Sequence, residues 1–303
     1  MAQFHDWREE YPFASRLLDL GGVRMHYVDE GPALAVKLDE LTNSAETLLC
    51  VHGNPTWSFF YRKIVAGLRN RHRVLAVDHI GCGMSDRPRR YDYCLRTHAD
   101  NLSDFINRLD LRDITLVVHD WGGPIGVAAA LRDPVRIARL VILNTGLFPP
   151  TYVPLRIRAM MTPWIGGWAI ERLNLFAGPA TSMAISGKCG PLSGAAKAGL
   201  LAPYLIPRRR LAIRRFVADI PLSPRHRTWP ELEAVEAGLN TFADRPALIL
   251  WGMRDWCFRP QCLDRIAGHF PRAEIHRIED AGHYLMEDAG EEVVERIGQW
   301  LKR

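Results

Sequence analysis

The chain has 303 residues, 48% hydrophobic and 24% charged, with a net charge of +5. This is an ordinary globular balance, able to bury a substantial core. No uninterrupted run of 18 or more apolar residues is present, which argues against a spanning helix. The polar start, with His5, Asp6, Arg8, Glu9 and Glu10, is not the apolar core of a secretory signal, so a cytoplasmic chain is expected.

Short apolar strands alternate with longer helical periods, the pattern of a mostly parallel sheet with helices on both faces. After the Gly21-Gly22 turn, Arg24 to Val28 reads as a strand of an early hairpin. Thr47 to Val51 is a buried strand running into His52-Gly53-Asn54-Pro55, and Trp57 to Leu68 reads as a helix. Val74 to Val77 leads into Asp78-His79-Ile80-Gly81-Cys82-Gly83, and Thr97 to Leu109 has helical period. Ile114 to Val118 is a strand, Gly122 to Leu131 the helix after it, and Leu140 to Leu143 another strand. Residues 149–230 then hold no strong strand but many Pro, Gly, Arg and Trp residues, read as a helical cap inserted in a core of residues 1–148 and 231–303. The α/β pattern resumes with Ala247 to Trp251, a helix at Pro260 to His269, a strand at Glu274 to Ile278 and a last amphipathic helix at Glu291 to Leu301.

Six cysteines, Cys50, Cys82, Cys94, Cys189, Cys257 and Cys262, are scattered without the paired spacing of a zinc site, so free thiols and no metal are expected. Charge is uneven. Between Pro149 and Pro230 there are twelve basic and two acidic side chains, a balance of +10. Such a surface could meet an acidic partner, a partner enzyme, a second copy or a membrane face, although a solvated Arg-rich face is the plainer reading. The run Pro207-Arg208-Arg209-Arg210 alone does not make a nucleic-acid site.

The chemistry concentrates in Leu116-Val117-Val118-His119-Asp120-Trp121-Gly122-Gly123. An apolar strand runs into one reactive residue, and small residues open a helix, as in a nucleophile elbow. A carboxylate at that turn attacks a saturated carbon bearing a leaving group and becomes an alkyl ester. Asp255 follows the strand Leu248 to Trp251, and His283 follows the last strand. The order nucleophile, acid, base is that of the α/β-hydrolases. Taken singly, an Asp after a strand is more often a cap or turn residue; the three together carry the catalytic reading. Asp255 would orient His283, which would activate the water that breaks the ester. Asn144 also ends a strand, but an amide cannot replace the acid. Asn54 and Trp121 flank Asp120 and offer two neutral N–H donors for a departing anion, while their backbone amides could hold an oxyanion.

His52-Gly53-Asn54-Pro55-Thr56 and Val118-His119-Asp120-Trp121-Gly122-Gly123 resemble the signatures of the haloalkane dehalogenases, and of their third subfamily in particular. The resemblance implies an α/β-hydrolase fold, with a mostly parallel eight-stranded sheet flanked by helices. It implies Asp120, Asp255 and His283 as triad and Asn54 with Trp121 as halide ligands. It also implies hydrolysis of a small apolar haloalkane to alcohol, halide and a proton, without cofactor. Asp78-His79-Ile80-Gly81-Cys82-Gly83, Trp251-Gly252-Met253-Arg254-Asp255 and Glu287-Asp288-Ala289-Gly290 resemble the β-lactone decarboxylases of olefin biosynthesis as well, which share the same five residues and make an alkene and CO2. Dehalogenation is the leading expectation and lactone decarboxylation the alternative. His-Asp-Trp-Gly is also similar to epoxide hydrolases, for which Tyr152 and Tyr204 are candidate acids, although Asn54 replaces the aromatic residue usual there. A hydrolase-like scaffold kept only for binding is the non-enzymatic alternative; an intact triad argues against it.

Overall fold

The computed structural model describes residues 6–32, 46–188 and 190–303. The first five residues of the polar start, and Cys189 with its expected free thiol, lie outside the described residues. Eight strands form one sheet: β1 (Arg16–Asp19), β2 (Arg24–Glu30), β3 (Thr47–Val51), β4 (Arg73–Val77), β5 (Ile114–Asp120), β6 (Ile137–Thr145), β7 (Ala247–Gly252) and β8 (Glu274–Ile278). Their spatial order is β1-β2-β4-β3-β5-β6-β7-β8. β1 and β2 pair antiparallel, as do β2 and β4, and all later pairs are parallel. All seven residues of β5 are buried, as a central parallel strand covered on both faces requires. Alternate residues of β3 serve opposite faces: Leu49 and Val51 join one apolar cluster, Leu48 and Cys50 the other.

Helices α1 (Arg62–Leu68), α2 (Leu95–Arg108), α3 (Gly122–Ala130), α10 (Pro260–Ala267), α11 (Leu285–Asp288) and α12 (Gly290–Trp300) belong to the sheet. In α2, Leu95, Ala99, Leu102, Phe105 and Ile106 are buried, the three-and-four spacing of one apolar face. Between β6 and β7 lie α4 (Leu155–Met160), α5 (Ile165–Leu173), α6 (Ala177–Met183), α7 (Gly194–Leu201), α8 (Leu211–Ala218) and α9 (Trp229–Gly238), with no strand among the described residues.

The helix expected over Trp57 to Leu68 is α only from Arg62; Ser58–Tyr61 is a 3-10 turn. Its first residues are committed elsewhere. Ser58 N donates to Asp78 Oδ1 at 2.7 Å, and Trp57 Nε1 donates to Gly199 O at 2.9 Å. Cys50, Cys82, Cys94, Cys257 and Cys262 carry no disulfide.

Asp78 anchors the turn after β4. It is fully buried and bonds His26 Nδ1 (2.7 Å), Ser58 N (2.7 Å) and Met84 N (2.8 Å). Burial pushes its pKa up, but His26, His52 and the Met84 N–H outweigh it and hold the carboxyl at about 2. Its folded value lies below the unfolded one, so its stabilisation is complete above about pH 4 and fades as pH falls through the folded value. Asp78→Asn should therefore cost about 3 kcal/mol at pH 7. Urea unfolding would show this, with the gap to the native chain narrowing toward pH 2–3, roughly the range between the two pKa values.

Candidate active site

β5 delivers Asp120 to the carboxyl edge of the sheet in a left-handed conformation, φ +51°. That conformation costs a non-glycine residue on the order of 1–2 kcal/mol. Packing fixes it. Thr145 Oγ1 donates to the Asp120 carbonyl at 2.6 Å. A Cβ on Gly122 would overlap the Val51 carbonyl, so only glycine lets α3 start this close to β3. The side chain emerges at the base of a cavity, 7% exposed. Its two oxygens have different surroundings. Oδ1 accepts the Asn54 backbone N–H at 2.6 Å, and the Trp121 backbone N–H also bonds this carboxylate. Oδ2 lies 3.6 Å from His283 Nε2. Burial raises the Asp120 pKa above the usual carboxylate value, with His283 and the two amides pulling against it.

His283 sits on the loop after β8, with Nδ1 2.9 Å from Asp255 Oδ2. Asp255 is fixed in turn: its Oδ1 accepts Cys257 N (2.6 Å) and Phe258 N (3.0 Å). An acceptor at Nδ1 holds the proton there and aims Nε2 at Asp120. Burial pulls the His283 pKa down, but the charge and hydrogen bond of Asp255, then Asp120, more than reverse this, and the net shift is upward. The three predicted residues thus meet at one point. Asn144, excluded on chemical grounds, has a structural use. It bridges β6 to β7 through Nδ2 to Gly252 O (3.0 Å) and Gly252 N to Oδ1 (2.8 Å).

One contributor was not singled out in the sequence. His119, fully buried, has Nε2 2.8 Å from the His283 carbonyl, where it acts as donor and holds the backbone of the histidine loop. Burial, and then His283, keep its pKa well below normal, so it is a neutral positioning group. Its position just before Asp120 in a fully buried strand was the available signal.

Asn54 and Trp121 line the same cavity as Asp120 and His283. Asn54 Nδ2 donates weakly to Ile213 O at 3.4 Å, and its second N–H has no partner among the described residues. The cavity measures about 580 Å³ and is walled largely by apolar side chains, among them Phe148, Ile157, Met160, Phe176 and Phe258. Residues from the helical segment between β6 and β7 make much of that wall. Tyr152 lines the cavity, with the Arg259 guanidinium 3.5 Å over its ring. Tyr204 does not. It is buried, donating to Thr56 O at 3.2 Å, so the expected pair of cavity tyrosines is not assembled.

An eight-stranded sheet with an elbow aspartate, a late acid and a final histidine places the chain in the α/β-hydrolase fold family, and it belongs there: the family profile matches residues 46–290. Two groups of relatives span nearly its whole length. A cis-3-alkyl-4-alkyloxetan-2-one decarboxylase of Shewanella oneidensis is 38% identical over 296 residues, 96% of this chain and 89% of the relative. Haloalkane dehalogenase 2 of Mycobacterium tuberculosis is 34% identical over 298 residues, 95% of this chain and 96% of the relative. Among solved structures, an ancestral haloalkane dehalogenase superposes with a TM-score of 0.83 at 26% identity, covering 95% of this chain and 98% of that one.

Proposed function

We propose that the chain is a β-lactone decarboxylase, converting cis-3,4-dialkyl-oxetan-2-ones to alkene and CO2. The observation that carries this is the higher identity to the oxetanone decarboxylase, 38% against 34% for the dehalogenase, each over nearly the whole chain. This reverses the order expected from the motifs alone, which put dehalogenation first. The cavity supports the reading: about 580 Å³ of largely apolar space suits two alkyl chains better than a small haloalkane. We read residues 149–230 as the cap over that space.

Asp120 acts as nucleophile. Its Oδ2 attacks ring carbon C4 from the side opposite the ring oxygen, and the C4–O bond breaks. The released carboxylate stays on C3, where Asn54 Nδ2 and Trp121 Nε1 donate to it. The C3–carboxyl bond then breaks, its electron pair forms the C3–C4 double bond, and the Asp120 carboxylate leaves. CO2 departs, and neither water nor a proton is consumed. Inversion followed by anti elimination gives a cis alkene from a cis lactone.

Haloalkane dehalogenation is the second reading, supported by the dehalogenase relative at 34% identity and by a His283–Asp255 pair able to activate water. Here the aspartyl ester is hydrolysed. His283 takes a proton from water, which attacks Cγ of Asp120. Oδ1 becomes the oxyanion, already in reach of the Asn54 and Trp121 amides.

The two are separated by assaying one preparation for CO2 from a cis dialkyl β-lactone and for bromide from 1-bromobutane. Lactone turnover should dominate in kcat/KM; an untouched lactone beside steady bromide release would overturn the proposal. Trp121→Phe removes the indole donor with little change of shape. It should raise the barrier by about 2–4 kcal/mol, the scale of a lost oxyanion-hole donor; an unchanged rate would remove Trp121 from the anion site.

The pH profile gives a further check. Asp120 must be ionised to attack, and its pKa is raised, so both activities fall in acid at a midpoint above the ordinary carboxylate value. Hydrolysis also needs neutral His283, whose pKa is raised above 6.5. Bromide release should therefore decline in acid around a midpoint above the ordinary imidazole value, while lactone decarboxylation stays level there. Parallel profiles would refute this division of roles.

A further inference from the structure

Helix α5 is apolar on its outward side. Gly166, Gly167, Ala169 and Ile170 face inward, while Trp164, Ile165 and Trp168 are exposed by 88%, 78% and 57%. Residues at these spacings form one outward stripe. The turn Pro207–Arg210 is tied to the end of this helix, because Arg210 Nη1 donates to the carbonyls of Glu171 (2.9 Å) and Arg172 (3.4 Å). That brings exposed Leu205, Arg208 and Arg209 beside Arg172.

The charge around the stripe is one-sided. Residues 149–230 contain two acids, Glu171 and Asp219. Glu171 is paired with Arg214 at 2.9 Å, and Asp219 is 4% exposed. Arg158, Arg172, Arg208 and Arg209 are exposed and pair with no carboxylate among the described residues. The cavity opens on this segment too: Tyr152, Leu175 and Met183 line it and are each more than 40% exposed. Leu155, 78% exposed, stands between the lining residues Pro154 and Arg156.

We propose that this surface docks on an anionic phospholipid bilayer, bringing the mouth of the cavity to the lipid, where an apolar substrate partitions. Projecting indoles and an aliphatic side chain flanked by unpaired guanidinium groups match the aromatic and basic anchors of interfacial proteins. The arginines complement lipid phosphates, and neither acid of residues 149–230 is free to oppose them. A flat apolar interface for a protein would bury its aromatics in pockets ringed by near-neutral contacts; here they stand out from a convex helix. The proposal stands whichever substrate the cavity turns over.

The test is flotation of the full chain with phosphatidylcholine vesicles, with and without phosphatidylglycerol. The chain should float with the anionic vesicles only, and its tryptophan emission should shift to shorter wavelength. Arg208→Glu/Arg209→Glu should weaken association by about tenfold or more, as should raising salt from about 0.1 M to 0.5 M. Trp164→Ala/Ile165→Ala/Trp168→Ala should abolish it. Both variants alter surface side chains outside the cavity, so thermal melts and turnover of a short soluble substrate should match the native chain. Failure of the native chain to float, or unchanged flotation of both variants, overturns the proposal. So does a native dimer in sedimentation that the tryptophan variant dissolves and that ignores vesicles, because the stripe would then belong to a second copy.

Discussion

Asp120→Asn is expected to remove lactone decarboxylation and bromide release together, by about ten-thousandfold or more, the scale of losing an enzymatic nucleophile. The substitution is nearly isosteric. Asparagine tolerates the left-handed conformation that Asp120 adopts at φ +51° better than most residues do, so the elbow survives. The amide oxygen still accepts the Asn54 and Trp121 backbone N–H groups. What it lacks is the anionic Oδ2 beside His283. The loss is therefore one of chemistry, visible as absent alkene by gas chromatography, with a melting temperature within a few degrees of native. Retained activity would mean that another group does the chemistry. Retained biological activity without turnover would favour the binding scaffold.

His283→Gln is expected to split the two activities. In the lactone sequence, elimination itself restores the Asp120 carboxylate, so no base is called on after attack. The glutamine variant should keep decarboxylation within about a hundredfold of native, the lower range of general acid–base contributions. With 1-bromobutane it should release one equivalent of bromide and stop, because alkylation needs no base while ester hydrolysis does. The stalled ester should appear as a butyl group on the peptide carrying Asp120. Equal loss of both activities, with no adduct, would contradict this division. His119 predicts a milder version of the same split. It holds the His283 carbonyl at 2.8 Å without touching the cavity, so its loss should slow hydrolysis more than decarboxylation.

Much of the sheet, and the meeting of Asp120, Asp255 and His283 at one edge of it, is legible in the sequence. β5 announced itself as a β-branched apolar run, and Gly122 beyond the elbow marked the start of α3, since only glycine fits where it passes the Val51 carbonyl. Asp255 and His283 were legible because parallel strands deliver their following loops to one edge, so chain order translates into proximity. The segment between β6 and β7 was legible as helical from its missing strand signals. Its interior was not, because the faces of α4 to α6 that line a cavity look like the faces that line a core. β1 was not singled out either: it is a four-residue edge strand whose Leu17 is half exposed, which leaves no alternation to read. Tyr204 was misjudged as a candidate acid because its hydroxyl is bound to the Thr56 carbonyl by contacts 148 residues apart in the chain. The substrate was not fixed by Asp120, Asp255, His283, Asn54 and Trp121, which fit either proposed chemistry. It turns instead on the cavity wall, assembled from segments with no motif of their own.

The most direct measurement is a single turnover of a cis-3,4-dialkyl-oxetan-2-one by excess enzyme in heavy-oxygen water. Attack of Asp120 on C4 predicts cis alkene and one equivalent of CO2, with no labelled hydroxy acid. A β-hydroxy acid carrying heavy oxygen in its carboxyl group would mean attack at the carbonyl and hydrolysis, and would contradict a carboxylate nucleophile acting on saturated carbon.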